Sequence, residues 1–73
     1  METLILRKKG SPHKVRISPD PKDSHFALVQ LLKISTGEQK GGHFILASDV
    51  PQWRSMYERD GFRVLKEREV SNV

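Results

Sequence analysis

His25-Phe26-Ala27-Leu28-Val29-Gln30-Leu31-Leu32-Lys33-Ile34 is the stretch on which the fold turns. Two readings are open for it. As a helix it has Asp23 or Ser24 as N-cap and Gly37 near its end. Its apolar residues would then point all round the helical wheel and leave no solvent face. As a strand it sets Ala27, Val29 and Leu31 on one face and Phe26, Leu28, Leu32 and Ile34 on the other. The residues that follow decide for the strand. Ser35-Thr36-Gly37-Glu38 has turn chemistry, and the compact apolar run His43-Phe44-Ile45-Leu46-Ala47 comes after Gly41-Gly42. Residues 25–34 and 42–47 are therefore expected to pair as a hairpin. A strand that is apolar on both sides is normal where both faces are covered. With one helix in the chain, the second apolar face is free to meet a partner.

Upstream, Thr3 to Lys9 reads as a first strand, ended by the turn residues Gly10-Ser11-Pro12. Lys14-Val15-Arg16-Ile17-Ser18 alternates as a half-buried strand does. These two close a hairpin near residues 10–13, and the prolines and Asp residues of 18–24 make a loop. Downstream, Asp49-Val50-Pro51-Gln52 has an N-cap residue, an early proline and a Gln three positions after the cap. Val50, Trp53, Met56 and Tyr57 share one helical stripe. Asp60-Gly61 stops the helix, and Phe62–Lys66 is a final strand. The fold class is α+β: a small antiparallel sheet, in the order ββ-ββ-α-β, with one helix packed on it. Residues 1–69 form one domain and 70–73 a frayed tail.

Size and composition narrow the function. A chain of 73 residues, 36% of them hydrophobic, builds a thin core and leaves little room for a deep substrate cavity. It has no cysteine, hence no disulfide framework, thiolate nucleophile or Cys-based zinc site. A chain this small in an oxidising compartment commonly needs disulfide staples, so an intracellular, cytoplasmic place is expected. No apolar run approaches the roughly 20 residues that cross a bilayer, and Met1-Glu2-Thr3 lacks the basic start of a signal peptide. No membrane partner is expected.

Charge is concentrated. The net +4 arises in residues 1–18, which carry five basic side chains against one acid. Arg7, Lys8, Lys9, Lys14 and Arg16 are the candidate partner-binding residues, for phosphates or for an acidic protein surface. The competing reading is a solvated or aggregation-resistant charged face. No aromatic residue lies in this hairpin, which weakens a base-stacking role. Trp53 and Arg54 are a second candidate contact, since Trp and Arg carry much interface energy; the alternative places Trp53 in the seal between helix and sheet.

Catalytic and metal-binding signals are weak. His13, His25 and His43 match no helical metal pair, and no carboxylate sits in an apolar context. No cofactor, metal or catalytic residue is expected. Gly10-Ser11-Pro12-His13-Lys14 loosely resembles the Gly-Ser-His stretch of small toxin ribonucleases, but a proline intervenes and the preceding helix is missing.

In length, in the basic hairpin around Arg7-Lys8-Lys9 and Lys14-Val15-Arg16, and in the lack of a catalytic set, the chain resembles small phage-encoded RNA-polymerase-binding transcription regulators of the Xanthomonas phage type. The resemblance covers overall character and no signature motif. It implies a monomeric, non-catalytic regulator in the host cytoplasm. Such a protein binds the large subunits of bacterial RNA polymerase, inhibits sigma-dependent initiation and suppresses termination near the RNA exit channel, with nucleic acid close by. Two other functions fit the residues: a basic module contacting nucleic-acid phosphates, and an inhibitor of another host protein, of the anti-CRISPR type.

Overall fold

A computed structural model describes residues 2–65; Lys66 of the expected last strand, the domain end at Glu69 and the tail 70–73 lie outside the described residues. Five strands, one 3₁₀ turn and one helix follow in order: β1 (Leu4–Lys8), β2 (His13–Pro19), β3 (Phe26–Lys33), β4 (Gln39–Leu46), the turn Ala47–Asp49, α1 (Val50–Arg59) and β5 (Phe62–Leu65). The sheet is antiparallel throughout, with spatial order β4-β3-β2-β1-β5. The protein is thus the α+β fold read from the sequence, and the strand expected over 25–34 is Phe26–Lys33.

The first four strands form a meander. Gly10 and Gly37, with φ of +84° and +78°, make the two tight connections. Between β2 and β3, Asp20 and Asp23 accept hydrogen bonds from the backbone N–H groups of Lys22 and His25, both at 3.0 Å. These are the Asx-turns that Asp residues favour in loops. After β4, at one edge, the chain must reach the opposite edge to place β5 beside β1. α1 makes that crossing and therefore covers one face of the sheet and not the other.

Between the sheet and α1 lie Leu6, Val15, Ile17, Ala27, Val29 and Ile45 of the strands and Val50 of the helix, all buried, with Leu4, Trp53, Tyr57, Phe62 and Val64 packed around them. The register explains the set, since Leu6 pairs with both Val15 and Val64, and Ile17 pairs with both Leu4 and Val29. Alternation then sends every other side chain of each strand to the opposite face.

Two local details differ from the sequence reading. β4 begins at Gln39, ahead of the expected residue 42, with an irregularity opposite Leu31 and Leu32. β3 is long enough to pair through Gly41-Gly42, and the irregularity absorbs the misfit. Asp49 makes no side-chain capping bond, and its φ and ψ of −92° and −3° are helical. The preceding 3₁₀ turn runs directly into α1, so Asp49 lacks the extended conformation that swings a capping oxygen back onto the first turn. Among the described residues no helix is long and apolar enough to cross a membrane.

Candidate binding face

The face that α1 leaves open is built from Ile5 and Arg7 of β1, Lys14, Arg16 and Ser18 of β2, Phe26, Leu28, Gln30 and Leu32 of β3, Gly42, Phe44 and Leu46 of β4, and Arg63 and Leu65 of β5. Register sorts these into rows. Arg7 stands directly between Lys14 on β2 and Arg63 on β5, so three cations line up across three adjacent strands. Arg16 lies on the same face two residues from Lys14 and donates a hydrogen bond from its guanidinium to Gln30 Oε1 at 3.1 Å. Gln30 in turn donates to Gln39 Oε1 at 3.0 Å. Gln39 folds over Gly42, where an added Cβ would come within 2.6 Å of the Gln39 amide nitrogen and 3.2 Å of the Val29 carbonyl oxygen. Gly42 thus leaves the room in which this amide relay sits.

Beyond the relay the face turns apolar. Leu28 pairs with Phe44 and Phe26 with Leu46. Phe44 and Leu46 are 60% and 48% exposed, which is unusual for large apolar side chains on a sheet face. Ile5 and Leu65 form a smaller apolar pair beside the cations.

Electrostatics at the basic corner are unbalanced. Like charges directly opposite across a strand pair repel. The ion pairs among the described residues are Lys8–Asp60, His25–Asp23, Lys40–Glu38 and Arg54–Glu58. Arg7, Lys14, Arg16 and Arg63 belong to none of them. The corner is therefore suited to holding anions, with an apolar surface alongside.

The remaining sequence candidates lie elsewhere. Lys9 is exposed in the β1–β2 turn. Lys8 projects to the helix side, where its Nζ lies 5.8 Å from the centre of the Phe62 ring and 3.9 Å from Asp60. Trp53 is half-buried within a run of rings under α1: His43 at 5.1 Å on one side and Tyr57 at 6.4 Å on the other, with Phe62 next at 5.5 Å from Tyr57. Burial pushes the Tyr57 phenol above its ordinary pKa. Arg54 pairs with Glu58 along the helix at 3.3 Å. The structure thus brings Arg7, Lys14 and Arg16 together and sets Lys8, Trp53 and Arg54 apart from them.

Arg63 was missed from sequence, whereas the second apolar side of 25–34, with Phe26, Leu28 and Leu32, was read there as a face free for a partner. Alternation in Phe62-Arg63-Val64-Leu65 turns Arg63 away from the core, but only the β1–β5 pairing sets it beside Arg7. His13 and His43 also face the helix side, while His25 is exposed in the β2–β3 loop. Its backbone N–H, and then its ring, hold the Asp23 carboxyl below the usual carboxylate pKa. No group of three or more His, Cys, Asp or Glu among the described residues is placed to hold a metal ion. The chain matches no protein-family model, and neither a curated protein nor a solved structure is significantly similar to it.

Proposed function

We propose that the chain is a non-catalytic regulator that binds a host protein through the open face of its sheet, and that the host protein is bacterial RNA polymerase. The Arg63–Arg7–Lys14 row carries the binding reading: adjacent like charges that no described carboxylate balances. Such a row costs stability in the free protein and is relieved when a partner supplies anions. The neighbouring apolar surface favours a protein over nucleic acid. Phe26 and Phe44 are rings on which a base could stack, but most of the apolar surface around them is aliphatic: Leu28, Leu32, Leu46 and Ile5 offer no π-face and are readily covered by another apolar surface. The choice of polymerase rests on the resemblance in length, basic hairpin and absent catalytic set. Bound there, the protein would act by competition or by shifting an equilibrium, inhibiting sigma-dependent initiation, with no bond made or broken.

Purified bacterial RNA polymerase, treated with nuclease and immobilised, tests this reading. The chain is expected to bind it, and the Arg7→Glu/Lys14→Glu variant to bind at least tenfold more weakly while keeping its fold. Absence of binding to polymerase from any candidate host removes the target. Equal binding by the variant removes the face.

A further inference from the structure

We infer that the element docking on the open face is an amphipathic α-helix of the partner, apolar along one stripe and carboxylate-rich at one end. This deepens the proposal that the open face binds a protein and rests on that reading. The argument begins with what the face lacks. The same sheet carries α1 on its other side, where one helix seals Leu6, Val15, Ile17 and Val29 from water. The open side presents apolar surface in half-buried Ile5, Leu28 and Leu32 and exposed Phe44 and Leu46, with no element among the described residues over it. An antiparallel sheet can leave one face to water when that face is polar; this one is half apolar.

Charge chooses among occupants. A second copy of the chain, set face to face, would place cations on cations or on leucines, because the described part of the face holds no carboxylate. A nucleic acid needs phosphates and stacked bases within a nucleotide or so of each other. Here the row of Lys14, Arg7 and Arg63 begins two strand spacings and four residues of strand from Phe44, roughly 17 Å, and the one nearer cation, Arg16 at roughly 12 Å, is held by Gln30. Gln30 and the aliphatic side chains lie between. A helix fits the same diagonal. At 1.5 Å per residue, about 12 to 16 residues run from the Phe44–Leu46 corner to the Arg7–Arg63 corner. Apolar residues at i, i+3, i+4 and i+7 would lie along Leu28 and Ile5. Acidic residues in the terminal turn would meet Arg7, Lys14 and Arg63, each able to form charge-assisted hydrogen bonds, while Arg16, midway along the diagonal, keeps its hydrogen bond to Gln30. The Arg16–Gln30–Gln39 relay separates the Phe44–Leu46 corner from the cation row, in which Leu32 stands opposite Lys14.

The test uses the full chain, isotope-labelled, and three synthetic peptides of equal composition in leucine. One is an amphipathic 16-mer with glutamates in its last turn. The second has the same residues scrambled to abolish the stripe. The third replaces the glutamates by lysines. The glutamate peptide is expected to shift the methyl signals of Ile5, Leu28, Leu32 and Leu65 and to gain helical circular dichroism. The scrambled and lysine peptides are expected to bind at least tenfold more weakly. In the Arg7→Glu/Lys14→Glu variant, which leaves two cations against two carboxylates, the preference for the glutamate over the lysine peptide is expected to vanish while the ordered peptides still bind better than the scrambled one, which no loss of folding can produce. Equal binding of scrambled and ordered peptides overturns the inference. So does a response confined to the amides of β4, which marks strand addition at the sheet edge, or displacement of the ordered peptide by a thymidine oligonucleotide. Failure here with polymerase binding intact removes the helix and leaves the regulator. Success here without polymerase binding removes the polymerase and leaves the face.

Discussion

Leu6 is the residue on which the small core depends most. It is fully buried on a central strand, with Val15 and Val64 as its cross-strand neighbours. Truncating a buried leucine costs about 2–5 kcal/mol, comparable with the whole stability of so small a domain. Leu6→Ala is expected to be largely unfolded at 25 °C, as read by loss of methyl dispersion in NMR spectra. Tyr57 makes the complementary case. Its phenol is held above the ordinary tyrosine pKa by burial, so the folded state favours the protonated form. The stability this provides is complete below the unfolded tyrosine pKa, near 10, and is lost as pH rises through the higher folded value. Urea midpoints measured between pH 8 and roughly pH 11 should fall at the alkaline end, and Tyr57→Phe should flatten the part of that fall that the phenol causes. Both residues were legible in sequence as core, Leu6 from its apolar run and Tyr57 from its helical stripe. The pairing of Leu6 with Val64 was not, because it joins residues 58 positions apart.

Among the elements, β1 and β2 carry the opposition between stability and binding. Arg7 sits directly opposite Lys14 and Arg63. Replacing it by threonine, a good strand former, removes two repulsive contacts and should raise stability by about 0.2–1 kcal/mol, read as a higher denaturation midpoint. The same substitution should weaken binding to the polymerase. A residue kept only for stability would show the reverse sign in the melt. On β4, Phe44→Thr removes an exposed apolar ring and should leave stability within about 0.5 kcal/mol, as surface substitutions do, while lowering affinity for an apolar partner. Sequence alternation separated Lys14 and Arg16 from Val15 and Ile17 correctly. Lys8 was grouped with the other cations by the charge of the hairpin and not by alternation; adjacent strand residues face opposite ways, and Lys8 lies against Phe62 and Asp60. Strand limits were less legible. β4 starts at Gln39 because its partner β3 continues to Lys33, and pairing length is a property of two strands together.

Over the whole molecule, the decisive feature is that one helix crosses a five-stranded sheet. It covers one face only, and the uncovered face holds both the cations and the exposed Phe26, Phe44 and Leu46. Binding that combines both halves should depend only weakly on salt. Raising ionic strength from 50 to 200 mM should weaken polymerase binding by less than the 10³–10⁵-fold loss of a protein making six to ten phosphate contacts. A loss of that larger size in a salt titration would mark a nucleic-acid binder. The sequence by itself determined the element types, the basic hairpin and the two-sided apolar strand, because these follow from alternation, turn chemistry and helical spacing within a few residues. Only the tertiary structure decided which side of that strand α1 would cover and that Arg63 would complete a row with Arg7 and Lys14. Those outcomes depend on β5 returning to the edge beside β1, a long-range pairing that no local periodicity encodes.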